Sequence, residues 1–189
     1  MNANEWTATL ARPIISGRDH VRGPLSAATK VVEYGDYECP ACRAAHPDVT
    51  ALQAQLKNRM CFVYRHFPLT TVHAHAATAA EAAEAAGNQH KFWVMHDRLF
   101  TIRAPLTYDA LISAARALDL DVPQFALAIQ RHVYLERVRD DFMSGVRSGV
   151  NGTPTFYING NRHDGTWDLA SLLAGIQRNA GAVSPVARR

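Results

Sequence analysis

The apolar residues of this chain change period twice, and the order of those changes constrains the fold more than any other feature. Thr29 to Tyr34 is a short β-rich run ended by Gly35-Asp36, and Cys61 to His66 is a second, ended by Pro68. Both read as interior strands. Between them, Pro40 to Leu56 carries Ala44, Val49, Leu52 and Leu56 at helical intervals, with Pro47 expected to kink the helix near its first turns. A strand, a helix and a strand make a right-handed βαβ unit. The middle of the chain then reads as helical. Residues 74–86 are alanine-rich with Gly87 as a stop, Phe92, Met95 and Leu99 mark a second helix, and Thr107 can cap a third bearing Leu111, Ile112, Ala115 and Leu118. Asp121 with Gln124 can form a capping box for a fourth, and Tyr134, Val138, Phe142 and Val146 give a fifth its core-facing row. From Thr155 the period returns to that of a strand. Thr155 to Ile158, the type I′ turn signal Asn159-Gly160 and a return strand over 161–164 make a hairpin, followed by a helix over about 168–177 that buries Leu169, Leu172, Leu173 and Ile176.

The order βαβ, helical block, ββα is an α/β architecture with a helical insertion. Its expected boundaries are a discontinuous core, 1–67 with 150–180, an inserted helical domain over 68–149, and a frayed, disordered tail over 181–189. At 189 residues the chain slightly exceeds one domain length of about 150, which suits one elaborated domain. With 48% apolar and 20% charged residues, disorder, collagen and coiled coil are excluded. The net charge of +3 is scattered along the chain, so a nucleic-acid partner is not expected. No run of eighteen apolar residues occurs, and Glu5, Arg12 and Arg18 interrupt any signal-peptide core, so no stable membrane insertion is expected. A cytoplasmic location follows, or a periplasmic one if a leader has been removed.

Cys39-Pro40-Ala41-Cys42 falls at the junction of a buried strand and a helix. There the unpaired N–H groups and the positive end of the helix dipole favour a thiolate at Cys39, and Pro40 suits the first helical position, which needs no donor. Cys42 lies one turn below. An attacking thiolate can form a mixed disulfide that the second thiol resolves, which is dithiol exchange and requires no cofactor. The competing reading is a zinc site, with His46 or Cys61 joining the pair, but no second close pair completes a ligand set. Cys61 reads as a small buried residue of an apolar strand. His73 and His75, two apart, would point to different faces of a helix and read as solvated residues rather than metal ligands.

The run Val31 to Cys42 (VVEYGDYECPAC), with Gly149 to Gly160 (GVNGTPTFYING), resembles the DsbA-like branch of the thioredoxin superfamily. Arg18 to Pro24 and Tyr64 to Leu69 are similar to one subgroup, soluble DsbA-like domains fused to bacterial sodium/proton antiporters. The resemblance implies a thioredoxin core with a helical domain inserted between its βαβ and ββα halves. It also implies thiol:disulfide exchange with protein or peptide substrates, with Cys39 as nucleophile and Cys42 as resolving thiol. Thr153-Pro154 matches the family's cis-proline loop, and with Pro40 and Ala41 would line the substrate-binding surface. Glu33 matches a buried carboxylate beneath the active site, where desolvation would raise its pKa and let it exchange a proton with Cys42. Strong oxidants of the family carry histidine where this chain has Ala41, so one electrostatic support for the thiolate is absent. A cytosolic reductase or isomerase is the alternative activity, and a zinc-binding or regulatory domain using the same thiols is the non-catalytic one.

Overall fold

A computed structural model describes residues 9–181. One sheet, in the order β1-β3-β2-β4-β5, is built from β1 (His20–Arg22), β2 (Thr29–Gly35), β3 (Met60–His66), β4 (Thr155–Ile158) and β5 (Asn161–Arg162). β2 and β3 are parallel, joined through α1 (Pro40–Leu56) and a 3₁₀ turn over Lys57–Arg59, while the other neighbours are antiparallel. The two expected interior strands are therefore interior. β1 was not expected, because three half-buried edge residues carry no alternating pattern to read.

Alternation along the interior strands sorts side chains to two buried faces. Val31, Phe62, Tyr64, Phe156 and Ile158 lie in the cluster shared with α1, α2 (Ala76–Gly87), α3 (Phe92–Thr101), α4 (Tyr108–Ala117), α5 (Val122–Gln130) and α7 (Leu169–Gly181). Val32, Tyr34, Cys61, Val63 and Tyr157 face the other way, against Phe67, Val150, Leu10 and Ile14. α6 (Leu135–Arg147) borders this second cluster through Phe142.

α1 is continuous with Pro47 inside it, and its buried row is Cys42, Ala45, Val49, Leu52 and Leu56. Ala44 is exposed, not buried, because the row that starts at Cys42 advances by three and four residues and passes through Ala45 instead. Thr107 caps α4 as expected. Asp121 caps α5 by accepting from Gln124 N–H at 2.9 Å, but the reciprocal bond of a capping box is replaced by Asp121 N–H to Gln89 Oε1 at 2.8 Å. Gly87 is the last residue of α2 rather than a left-handed stop, and a Cβ there would lie 3.3 Å from His20 Cε1 and 3.4 Å from Phe92 Cβ. Its small size serves close packing. The left-handed residue after α2 is His90, at φ 60°.

On α6 the expected row Tyr134, Val138, Phe142, Val146 is only partly right: the buried residues are Val138, Asp141, Ser144 and Gly145, and Val146 is exposed. A strict four-residue repeat drifts about 40° per step around a helix of 3.6 residues per turn, so Val146 rotates away from the core. The hairpin turn has Asn159 and Gly160 at φ 50° and 85°, the type I′ geometry, but β5 has two residues rather than four. α7 continues beyond Gln177 to Gly181, so Gly181 belongs to the helix, and the rest of the expected tail lies outside the described residues.

The second face holds a charge that periodicity could not show. Arg65 is fully buried, donating to Asp19 Oδ1 and Oδ2 at 3.0 and 2.9 Å, Tyr34 Oη at 3.0 Å, and the Arg12 and Pro13 carbonyls at 2.9 Å each. This ties the segment before β1 across the sheet. Asp19→Ala leaves the guanidinium buried and unpaired, and should cost about 3–5 kcal/mol of stability by urea unfolding. A loss under about 1 kcal/mol would show that the pair does not hold this face together.

Candidate active site

β2 ends at Gly35, where a Cβ would meet the Tyr64 ring at 2.6 Å, and Asp36 builds the turn that follows. Asp36 Oδ1 accepts the Glu38 N–H at 2.8 Å, and its Oδ2 accepts the Leu69 N–H and pairs with His73 Nδ1, each at 2.8 Å. Cys39 N–H donates to the Asp36 carbonyl at 3.2 Å, which sets Cys39 as the extended N-cap of α1, with Pro40 following at the first helical position. The chain thus enters the helix with the Cys39 sulfur beside the free N–H groups of the first turn.

Cys39 and Cys42 are both free thiols, and the sites around them differ. The Cys39 thiol is lowered from 9.0 to about 5, chiefly by a hydrogen bond from Cys42, against desolvation, with further support from Thr153 and from the backbone N–H groups of Cys42 and Ala41. Cys42 is completely buried, and burial pushes its thiol well above the ordinary range, helped by the Cys39 hydrogen bond and the Glu33 charge. Residue 41 therefore supports the thiolate through its backbone, without the side-chain help that a histidine there would give. Cys61 is buried in the second cluster, and desolvation raises its thiol.

Glu33 lies on the face of β2 that α1 covers, in register with Tyr64 on β3 and Phe156 on β4. It is 4% exposed, and burial, followed by the Cys39 charge, pushes its carboxyl up to about 8. The Thr153-Pro154 peptide bond is cis, and in the thiol form Cys39 Sγ–H donates to the Thr153 carbonyl at 3.3 Å. Glu33, Cys39, Cys42 and Thr153 thus meet in one place from three separate stretches of chain. Pro40 is exposed beside them, and Ala41 and Pro154 are half-buried.

His73 and His75 are neither on a helix face nor free in solvent. His75 is the residue before α2, its N–H donating to Glu38 Oε2 at 2.7 Å and its Nδ1 lying 3.0 Å from Glu38 Oε1, just as His73 engages Asp36. Glu38 Oε1 also accepts the Leu106 N–H at 3.3 Å. Asp36 and Glu38, flanking Tyr37 immediately before Cys39, therefore pin the 69–75 and 106 loops to the active-site turn, a role read from no motif. Their acidic character within three residues of Cys39 was the available signal. Among the described residues, groups of three or more potential metal ligands are His46, His96, Asp97 and His66, Glu84, Asp141, so the cysteines join no such group.

The different thiol environments predict different reactivity. In the reduced, folded protein, iodoacetamide should label Cys39 with a midpoint near pH 5, while Cys42 and Cys61 stay unlabelled up to pH 8. Mass spectrometry of labelled peptides measures it, and equal labelling of the three would contradict the asymmetry.

The sheet order, the helical block between β3 and β4, and a cysteine pair opening α1 define a thioredoxin-fold protein. Residues 16–178 match the family model described as Thioredoxin, and the chain belongs to that family. It is 43% identical over 176 residues to the Na(+)/H(+) antiporter NhaA 1 of Salinispora arenicola (strain CNS-205), a match that spans 93% of this chain and 27% of that relative. The chain thus spans roughly a quarter of the length of the curated relatives it matches. Among solved structures it is similar to a thioredoxin-like oxidoreductase from Silicibacter pomeroyi DSS-3, with a TM-score of 0.79, 25% identity, and 93% of this chain and 98% of that one covered. Wolbachia pipientis alpha-DsbA1 shares the fold with a TM-score of 0.77 at 20% identity, over 91% of this chain and 94% of that one.

Proposed function

We propose that this chain is a thiol:disulfide oxidoreductase that exchanges disulfides with protein substrates through Cys39 and Cys42. The observation that carries this is the opposite displacement of two thiols one helical turn apart, Cys39 down to about 5 and Cys42 well up. At neutral pH one sulfur is an anion at the helix N-terminus, in a buried residue next to the exposed Pro40, and the other a protonated thiol beneath it. The similarity to the Silicibacter pomeroyi protein, a thioredoxin-like oxidoreductase, supports the same reading.

In the direction of substrate reduction, the Cys39 thiolate attacks one sulfur of a substrate disulfide, forming a mixed disulfide and releasing the other substrate sulfur as a thiolate. Cys42 then loses its proton and attacks Cys39 Sγ, forming the Cys39–Cys42 disulfide and expelling the second substrate thiolate. Substrate oxidation is the reverse, returning two electrons to the protein pair. Glu33 is the proton carrier for Cys42, since a carboxyl held near pH 8 is within reach of both protonation states at neutral pH. Thr153 and Pro154, with Pro40 and Ala41, form the surface against which an extended substrate segment lies. Residues 1–67 with 150–180 make the thioredoxin-like core in this reading, and 68–149 the inserted helical domain. Among the described residues no helix is long and apolar enough to cross a membrane.

The resolving role makes a direct test. With Cys42→Ser the mixed disulfide at Cys39 has no internal thiol to release it, so protein adducts that vanish on reduction should accumulate in a lysate. A Cys42→Ser protein whose Cys39 alkylates normally yet captures no protein would refute protein substrates.

A further inference from the structure

Outside the dithiol, one side-chain cluster has the composition of a transition-metal site. His46 on α1 and His96 and Asp97 on α3 each bring a ligand atom to within 4.8 Å of the other two. We propose that His46, His96 and Asp97 bind one divalent transition-metal ion of the zinc type, tying α1 to α3. Two imidazoles and a carboxylate with a fourth position open to water are a ligand set suited to such an ion.

The geometry is most developed at His96. Its ring is 1% exposed and enclosed by Tyr64, Trp93 and Phe100, with ring centroids 4.5, 5.1 and 5.1 Å away. Tyr37 Oη lies 3.1 Å from Nδ1, which leaves Nε2 with no hydrogen-bond partner among the described residues. A ring fixed by a hydrogen bond at one nitrogen while the other is free is how a ligating histidine is oriented. His46 stacks on Phe100 at 4.7 Å, and its Nε2 is 3.7 Å from Asp97 Oδ1.

Tetrahedral zinc with bonds of about 2.0–2.1 Å separates its ligand atoms by roughly 3.4 Å, so closure needs shifts of about 1 Å. Asp97 and His46 are the partly exposed members and can make them. The competitor is Arg22, which forks onto the carboxylate, Nη2 2.8 Å from Asp97 Oδ2 and Nη1 3.4 Å from Oδ1. A cation must displace this pair, whose side chains are 31% and 43% exposed, and Arg22 keeps its place over the Trp93 ring at 4.4 Å and its bond to Gln53 at 3.2 Å when Asp97 turns away. The other candidate group fails this comparison. In His66, Glu84 and Asp141, the Asp141 carboxylate already receives Arg12, Arg137 and Arg18 at 2.6, 2.6 and 3.2 Å, so three guanidinium charges oppose a cation.

The site does not depend on the exchange reading, and its test removes the thiols. The 189-residue chain carrying Cys39→Ser and Cys42→Ser, titrated with Zn²⁺ and with Co²⁺ as a spectroscopic probe, should bind one equivalent and unfold at a higher temperature when loaded. His46→Gln and Asp97→Asn, each on a partly exposed side chain, should weaken binding at least tenfold, while Arg22→Gln should tighten it several-fold. X-ray absorption of the zinc-loaded protein should show two imidazole scatterers. Absence of stoichiometric binding, unchanged affinity in both ligand variants, or a sulfur shell at the metal would overturn the proposal.

Discussion

Unfolded in urea under a phosphine reductant, the wild-type reduced protein should be almost equally stable at pH 7 and 8 and lose stability toward pH 5, where the unfolded chain protonates His46 and His96, and Glu33→Gln should be more stable than it by about 3 kcal/mol at pH 7. Two opposed titrations set the balance between pH 7 and 8. The Glu33 carboxyl is raised from 4.5 to about 8 in the fold, so unfolding releases its proton over that window, and its contribution is lost as pH rises through 8. At pH 7 the unfolded carboxyl is about 2.5 units above its pKa while the folded one is still mostly protonated, which gives the 3 kcal/mol; the full interval gives about 5 kcal/mol above pH 8. Cys39 is displaced the other way, from 9.0 to about 5, so its contribution is present above 9 and lost as pH falls through 5. Between pH 5 and 8 the two slopes, each about 1.4 kcal/mol per pH unit, oppose one another. Glutamine keeps the shape and removes the ionisation, so Glu33→Gln should expose the rising Cys39 slope, and Cys39→Ser should expose the falling Glu33 slope. Because burial is the larger cause at Glu33, that falling slope should survive loss of the Cys39 charge. Identical pH profiles for wild type and Glu33→Gln would show that this carboxyl is not held protonated in the fold. On the proposed proton-carrier role, Glu33→Gln should also slow resolution of the mixed disulfide while Cys39 alkylation is retained.

The reduction potential should lie near −210 mV at pH 7. A thiol lowered to about 5 is two units below pH 7, which stabilises the reduced form by two tenfold steps, or about 60 mV for two electrons, relative to a thioredoxin reference of about −270 mV. This falls inside the interval of roughly −150 to −220 mV that a helix terminus without a histidine at position 41 leads one to expect. The pH dependence is a sharper check. Above pH 5 reduction takes up one proton per two electrons and the potential should fall by about 30 mV per unit, while below pH 5 two protons are taken up and the slope should double. Ala41→His should raise the potential by a further 30 mV or so for each unit it lowers Cys39. Equilibration with glutathione buffers, read by mass shift after alkylation, measures all three. A value below that of thioredoxin, or a slope of about 60 mV per unit at pH 6 to 8, would show that Cys39 is not a thiolate there. A potential near −210 mV leaves the pair mostly reduced against a cytosolic glutathione poise and able to oxidise substrates where the surroundings are more oxidising, so the recycling partner sets the direction of electron flow.

Much of this arrangement is local in origin, and that part was legible from sequence. Residues 31–42 contain the strand, the turn and the helix start that place Cys39 at an N-terminus, each specified by its own side chains, and the hairpin at Asn159-Gly160 and the caps at Thr107 and Asp121 are likewise short-range choices of backbone geometry. Apolar periodicity reached the sheet and the helices because it reports one property, which face is dry. It fails where the dry face is polar. Arg65 with Asp19, and Asp141 with its three arginines, are buried by partners that include residues 46 to 129 positions away, and nothing in their immediate sequence distinguishes them from solvated charges. The same holds for the pairing of Asp36 with His73 and of Glu38 with His75, across 37 residues in each case, which turns histidines that look solvated into struts of the active-site turn. The amino-acid order by itself determined which cysteine meets the helix dipole, since that depends on bonds within one turn of chain. Only the tertiary structure decided that Glu33 lies beneath the pair, that Thr153 faces Cys39, and that His46 meets His96, because desolvation and through-space charge depend on what distant segments bring to the same few ångströms.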